Sequence, residues 1–259
     1  MEQKISRQIL LAVILMLAAA CRKTEIRTDG TASLSIINAI PGTSSLVTNF
    51  SGTAPLSNYY LNARQITYNT FSQDYQFSSY SGNVRLALFN FPDTLAKSKP
   101  VVDLTLNLQI GSIYSLFVTG SIAQPDTLFT TDHPPYYAVS DSVTGIRFIN
   151  LSPGSAPVSV NLAGQPNGSE INSLSYKSVT GFMRYPATAD ISSYTFEFRD
   201  KASGRLLGSY EATGINNDSA TPDNPINKWR FRNCTLALLG LPDDGSGNGT
   251  QSILLINNY

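Results

Sequence analysis

Residues 101–108 read VVDLTLNL, and after Val101 apolar and polar residues alternate strictly. Successive side chains of a β-strand point to opposite faces, so a strand here would have one apolar face and one polar face. Such a segment is typical of an antiparallel sheet that covers a core on one side only. The apolar face would consist of Val102, Leu104, Leu106 and Leu108.

The same alternation recurs in NVRLALFN (83–90) and YTFEFRD (194–200), and turn-forming residues stand between such segments, as in QPNGS (165–169) and KASGR (201–205). No long stretch places apolar residues at the i, i+3, i+4, i+7 spacing of an amphipathic helix. Short strands with frequent turns predict an all-β fold of immunoglobulin-like β-sandwiches.

An internal repeat suggests how many sandwiches there are. IINAIPGTSSLVTNFSG (36–52) and FINLSPGSAPVSVNLAG (148–164) align without a gap at a constant shift of 112 residues. Six of the seventeen positions are identical, and most of them are turn-forming types: Ile37/Ile149, Asn38/Asn150, Pro41/Pro153, Gly42/Gly154, Asn49/Asn161 and Gly52/Gly164.

Two later pairs of segments correspond more loosely. ITY (66–68) matches LSY (174–176), and YSLFVTG (114–120) matches CTLALLG (234–240). We therefore expect two tandem domains, residues 32–140 and 141–259, each of an ordinary size for an independent core.

The second copy resembles a known family. IRFINLSPGSAPVSVNLAG (146–164) is similar to the opening of bacterial secreted and surface domains of unknown function, whose repeats begin R-x-x-N-x-S-P-x-A-P. Gly154 and Ser159 depart from the family's usual acidic residues, and the first copy lacks the Arg and the Ala-Pro. The resemblance implies tandem β-sandwiches on a cell surface and supplies no catalytic residues. The matching positions are Arg147, Asn150, Ser152, Pro153, Ala156, Pro157 and Gly164.

The N-terminus has the pattern of a signal peptide, residues 1–20. Lys4 and Arg7 form a basic start, and no charge interrupts residues 9–20. As a helix these residues would extend roughly 18 Å, too short for a bilayer core of roughly 30 Å but suited to a signal peptide.

Small residues precede Cys21 in an order that resembles a bacterial lipobox, although Ala18 stands where Leu is usual. The prediction is therefore lipidation of Cys21, with residues 21–31 as a tether, because acyl chains hold a protein on a membrane without a spanning helix. No Asp follows Cys21, which favours the outer membrane, on its periplasmic or its cell-surface face. The alternative is an ordinary secretory peptide with an incidental cysteine.

Composition excludes some functions. Formal net charge is zero, so no basic excess exists to attract nucleic acid, and there is one histidine, too few with two cysteines for a typical zinc site. With Cys21 acylated, Cys234 has no disulfide partner and is expected to be a small buried apolar residue. We expect no metal, no cofactor and no enzyme activity.

Two motifs resemble reactive or metal-binding sites only superficially. His133 follows Asp132, but neighbouring residues of an extended loop point in different directions, so a catalytic His133 is not expected. Within DDGSGNGT (243–250), the residues from Asp244 to Gly249 fit the first half of a calcium loop, yet the twelfth position counted from Asp244 would be Leu255 instead of Glu. We interpret it as a hairpin loop, and calcium binding there stays open.

Residues 58–80 hold the candidate ligand-binding tyrosines, because Tyr combines an apolar ring with a polar tip that suits sugars and proteins. Strand and core packing is the competing interpretation, since Tyr75 and Phe77 alternate like a buried face. Two functions follow: a membrane-anchored surface lipoprotein with a structural, adhesive or binding role, or a glycan-binding lipoprotein of an outer-membrane carbohydrate uptake system. The candidate tyrosines are Tyr59, Tyr60, Tyr68, Tyr75 and Tyr80.

Overall fold

The computed structural model describes residues 30–51, 63–95, 97–217, 227–243, 245–247 and 249–258. The predictions for the signal peptide, for Cys21 and for Tyr59 and Tyr60 lie outside these ranges. The described residues are strands, turns and two single-turn 3₁₀ segments, which confirms the all-β fold class. No helix among them is long and apolar enough to cross a membrane.

The described residues of the first half, 30–51, 63–95 and 97–132, form eight strands. They are β1 (Thr31–Asn38), β2 (Ser45–Asn49), β3 (Gln65–Thr67), β4 (Gln76–Tyr80), β5 (Gly82–Asn90), β6 (Val102–Leu108), β7 (Ile113–Gly120) and β8 (Pro125–Asp132). They form two sheets, an inner sheet of order β4-β1-β7-β8 and an outer sheet of order β3-β2-β5-β6.

The second half repeats this arrangement strand for strand. Its strands are β9 (Val143–Asn150), β10 (Val158–Leu162), β11 (Ile171–Leu174), β12 (Met183–Pro186), β13 (Ser193–Asp200), β14 (Leu206–Thr213), β15 (Asn233–Leu239) and β16 (Ser252–Asn258). Its inner sheet has the order β12-β9-β15-β16, and its outer sheet has the order β11-β10-β13-β14. Both segment pairs matched loosely in sequence fall at equivalent places, in and just after β3 and β11, and in β7 and β15.

Each half encloses its own core between its inner and outer sheets. In the first half Leu34, Leu86 and Leu116 are fully buried in one cluster. In the second half Phe148 contacts Phe196 at 5.5 Å between ring centroids, inside a cluster that includes Cys234. The apolar side chains of the alternating segments therefore face these two cores.

The two inner sheets pack against each other through their remaining faces. A third buried cluster joins Ile37 and Phe117 of the first half to Ile149, Ala237 and Leu254 of the second. The inner strands β9 and β15 are consequently buried along their whole length and β1 along most of its length, although β1 and β9 carry several polar residues. Residues Thr31–Tyr259 thus form one compact unit.

The connecting segment between the halves runs from Asp132, where β8 ends, to Val143, where β9 begins. The predicted boundary at residues 140 and 141 falls inside this segment. The division into two domains that fold independently stays a prediction.

Several of the identical residues of the internal repeat lie in a turn that follows β1 in the first half and β9 in the second. Asn38 Oδ1 accepts from the N–H of Ile40 at 3.1 Å, and its Nδ2 donates to Thr43 Oγ1 and Ile66 O. In the second copy Asn150 makes the corresponding three bonds, to Ser152 N, Ser155 Oγ and Leu174 O. Gly42 and Gly154 follow with φ of 84° and 77°, which L side chains rarely adopt.

The outer sheet of the first half differs from the simple prediction for NVRLALFN. Leu86 and Leu88 face the core as expected, but Ala87 and Phe89 on the opposite face are also buried, in a small cluster with Val47. Both faces of this strand are covered, so alternation of apolar and polar residues breaks down there.

Candidate functional site

The candidate tyrosines do not share one environment. Tyr75 is buried in the first core, where its hydroxyl accepts a hydrogen bond from the N–H of Thr67 at 3.2 Å. Tyr68 is half-buried beside the cluster between the inner sheets, and burial raises the pKa of its hydroxyl. Tyr80 is 72 % exposed at the end of β4. Of the described candidates, Tyr80 alone presents most of its ring to solvent.

The structure gives Asp132 a partner other than His133. His133 is exposed, while the Asp132 carboxylate is buried and accepts hydrogen bonds from Ser115 Oγ and Thr130 Oγ1. Its main partner is Arg147, at 2.7 Å and 3.0 Å from the two guanidinium nitrogens Nη1 and Nη2. Asp132 is therefore fully engaged in holding Arg147.

This ion pair joins the two halves, because Asp132 ends β8 and Arg147 lies in β9. Arg147 Nε donates to Thr235 Oγ1 at 2.7 Å, and the guanidinium carbon lies 4.8 Å from the centre of the Phe182 ring. The side chains of Arg147 and Asp132 are 5 % and 1 % exposed. A buried pair whose hydrogen-bonding groups are this well satisfied fixes one arrangement of the two inner sheets. We call these residues the inter-half ion pair.

The loop 243–250 is the hairpin connection between β15 and β16, as expected. Asp243 Oδ1 accepts from the N–H groups of Gly245 and Gly247 at 3.0 Å and 2.9 Å. Its carboxylate thus closes the turn of its own loop. Among the described residues no group of three or more His, Cys, Asp or Glu side chains could hold a metal ion.

A cleft that sequence analysis did not identify opens beside the start of β15 and the end of β16. Its volume is about 280 Å³. Lys228 and Arg232 line it, both are exposed, and neither forms an ion pair with any described carboxylate. We call it the cationic cleft.

Amide side chains from both halves line the cationic cleft. Gln73 comes from the first half, and Asn233, Asn257 and Asn258 come from β15 and β16. Asn233 Nδ2 donates to Pro135 O at 2.9 Å, whereas its buried Oδ1 has no hydrogen-bond partner. Asn258 Oδ1 accepts from Thr235 Oγ1, the same hydroxyl that holds Arg147. The cleft is therefore adjacent to the inter-half ion pair.

Apolar groups close the remaining wall of the cationic cleft. Trp229, the single tryptophan of the chain, is 2 % exposed and donates its indole N–H to Thr213 O at 2.8 Å. Lys228 Nζ lies 5.9 Å from the Trp229 ring centre. Burial raises the pKa of the Cys234 thiol to about 12, although the charges of Arg232 and Lys228 oppose the shift. The thiol is thus protonated and unreactive at neutral pH.

The loop that carries the two cations is held in place by Asn227. Its Nδ2 donates to Ile215 O at 2.5 Å, and its Oδ1 accepts from the N–H groups of Trp229 and Arg230. Phe231, with φ of 64°, donates its N–H to Val143 O. The run KWRFR (228–232) around the single tryptophan was the available sequence signal for the cationic cleft. Nothing in the sequence showed that Gln73 lines the same cleft.

Comparison with known proteins gives a family match. The family described as a domain of unknown function, DUF4397, matches residues 32–161, from β1 into β10. No curated protein matches the chain. A crystal structure from Bacteroides ovatus, provisionally described as that of an adhesin, aligns with 86 % of this chain and 92 % of its own. Sequence identity is 10 % and the TM-score is 0.22, too low to support a conclusion about this chain.

Proposed function

Because the chain belongs to the DUF4397 family, whose domain has no assigned function, we propose a function from its own geometry: a membrane-anchored cell-surface lipoprotein with a structural, adhesive or binding role and no catalysis. The inter-half ion pair is the observation that carries this proposal. The buried, bidentate Arg147–Asp132 pair joins the two sandwiches across their shared interface, which supports a role in presenting a binding surface.

The surface composition supports a role in binding. Charged residues make up 14 % of the chain, and the strand faces that point to solvent carry mostly uncharged polar side chains. Three described groups that could take part in chemistry are used structurally: Asp132 holds Arg147, Asp243 closes a turn, and Cys234 is buried and protonated. Each of them has a packing role in place of a catalytic one.

The proposed anchor is Cys21, supported by the uncharged run before it. The test is growth with radioactive palmitate. The native chain should be labelled and sediment with membranes, whereas Cys21→Ala should be unlabelled and released. Cys234→Ala is the matched control and should behave like the native chain, because Cys234 is buried. A Cys21→Ala chain that still carries label would refute the anchor.

The second candidate function is a glycan-binding lipoprotein of an outer-membrane carbohydrate uptake system. The cationic cleft favours it, because amide side chains of Gln73 and Asn257 offer donors and acceptors to sugar hydroxyls. A glycan array probed with residues 22–259 separates the two functions. Binding to glycans supports the second, and adhesion to proteins or cells without glycan binding supports the first.

A further inference from the structure

We propose that the cationic cleft binds a single sugar ring that bears a carboxylate, such as a uronic acid at the end of a glycan. This inference rests on the binding role proposed above and names the ligand class of one site. It uses residues that lie far apart in sequence, Gln73 on one side and residues 228–258 on the other.

Charge determines that the ligand is an anion. Lys228 and Arg232 both line the cleft without a described carboxylate partner, and the charges of both act on the same neighbouring group, Cys234. Unpaired cations that line a cleft attract an anion. An Arg fork and a Lys ammonium together match the two oxygens of a carboxylate, and these charge-assisted bonds are stronger than neutral ones.

The amide side chains determine that the ligand also carries hydroxyl groups. Asn257 is exposed and Asn258 is buried next to it, so donors lie at two depths in the cleft. Gln73 adds a further amide to the lining. An amide side chain can both donate and accept hydrogen bonds, which suits a sugar hydroxyl.

Size and rigidity limit the ligand to one ring. A volume of about 280 Å³ lies at the lower limit of small-molecule sites, which occupy roughly 300–1,000 Å³. The Asn227 bonds and the Lys228–Trp229 contact hold the cationic loop before any ligand arrives. Ordering of the loop therefore costs little free energy when a ligand binds.

Trp229 provides a direct measurement, because it lines the cleft and is the only tryptophan. Galacturonic acid should be titrated into residues 22–259 while tryptophan emission is recorded. We expect saturable change with galacturonic acid, and binding at least about tenfold weaker with galactose and with the methyl ester of galacturonic acid, since each lacks the charge.

Lys228→Gln with Arg232→Gln should weaken galacturonic acid binding by at least about tenfold, the loss expected for charge-assisted bonds. The matched control is Lys201→Gln with Arg205→Gln, an exposed Lys and an exposed Arg in the β13–β14 hairpin, which should bind like the native chain. Circular dichroism confirms that both double variants are folded.

The outcomes separate this inference from the broader function. Equal binding of galactose and galacturonic acid, or equal loss in both double variants, overturns the carboxylate assignment while glycan binding stands. If no sugar changes the emission but the glycan array is positive, the ligand binds elsewhere and the cleft assignment is wrong. If the array is also negative, the glycan-binding function fails with it.

Discussion

Lys177 Nζ lies 2.7 Å from Asp126 Oδ1 across the interface between the two halves. The same interface contains a hydrogen bond from Asn69 Nδ2 to Ser252 Oγ at 3.1 Å. These contacts are counterparts. Asn69 and Lys177 each follow the third strand of their half with a positive φ, of 51° and 62°.

The strand registers establish the equivalence of the other two residues. Asp126 pairs with Thr119 in the last strand of the first half, and Ser252 pairs with Leu239 in the last strand of the second. The position after the third strand of each half thus contacts the last strand of the other half: Lys177 contacts Asp126, and Asn69 contacts Ser252. That is the property of a twofold interface, here within one chain.

The inter-half ion pair departs from this symmetry. By the same registers the counterpart of Asp132 is Asn258, and by the 112-residue shift the counterpart of Arg147 is Ser35. Two first halves facing each other would bury carboxylates without a cation, and two second halves would bury guanidinium groups without a carboxylate. The pair therefore specifies that a first half packs against a second half.

The first prediction concerns this pair. Asp132→Asn should lower the free energy of unfolding by about 3–5 kcal/mol, because it leaves the buried Arg147 without its carboxylate. The double change Asp132→Asn with Arg147→Met should recover most of that loss, since no charge stays buried. Urea denaturation measures both effects.

The exposed pair Arg85–Asp103 offers a matched control, because its partners also meet at 2.8 Å but their side chains are 54 % and 41 % exposed. Asp103→Asn should cost less than about 1 kcal/mol. If Asp132→Asn costs no more than Asp103→Asn, the buried pair does not hold the halves together.

The second prediction uses the pseudo-symmetric contacts at the interface. Burial raises the pKa of Asp126, but the hydrogen bonds from Lys177 and the N–H of Thr127, with the charge of Lys177, outweigh it and hold the pKa below its usual value. Stability from this pair is therefore present above pH about 4, the ordinary pKa of Asp, and is lost as pH falls through the lower pKa of the folded state.

Lys177→Met should lower the free energy of unfolding at pH 7 by less than about 1 kcal/mol, because the side chains of Lys177 and Asp126 are 31 % and 42 % exposed. The difference from the native chain should shrink in high salt and at acid pH. Ser252→Ala removes the neutral counterpart contact, and its effect should not depend on salt. A Lys177→Met effect that is equally insensitive to salt would refute an electrostatic role.

Sequence patterns predicted the strands well because strand alternation and turn residues are local properties. The shift of 112 residues also located Asn38 and Asn150, whose side chains make equivalent hydrogen bonds. The packing of the inner sheets was not predicted, since it depends on which faces meet over long range. The run CTLALL (234–239) in β15 was the available sign that both faces of an inner strand are covered.

The functional groups were harder to predict for the same reason. Arg147 was noticed as a motif residue and Asp132 as a neighbour of His133, but the sequence does not show that they meet. The cationic cleft combines Gln73 with residues more than a hundred positions later. Tyr75 illustrates the opposite case, where alternation correctly indicated a buried face.

The third prediction concerns the repeated turn. Asn38→Ala and Asn150→Ala should each lower the free energy of unfolding by about 2–4 kcal/mol, because each removes a side chain that satisfies several buried partners. Asn107→Ala, at an exposed position of β6, is the control and should change stability by less than about 0.5 kcal/mol. Thermal or urea unfolding measures the three stabilities. Equal stability of all three variants would contradict a structural role for the two turn asparagines.

The fourth prediction concerns Gly145 in β9, where the connecting segment packs closely on the strand. A Cβ atom at this position would collide with Tyr137 Oη and Asn233 Oδ1, both of which are buried. Gly145→Ala should therefore cost about 1–3 kcal/mol of stability through overpacking.

Gly181→Ala is the matched control for that change, because a Cβ atom there would meet nothing within 4 Å and the backbone is not left-handed. It should alter stability by no more than about 0.5 kcal/mol. Asn233 also lines the cationic cleft, so Gly145→Ala should shift the emission of Trp229 in the folded chain while Gly181→Ala leaves it unchanged. A stable Gly145→Ala chain with native emission would show that the connecting segment moves aside freely, and that the cleft wall does not depend on this contact.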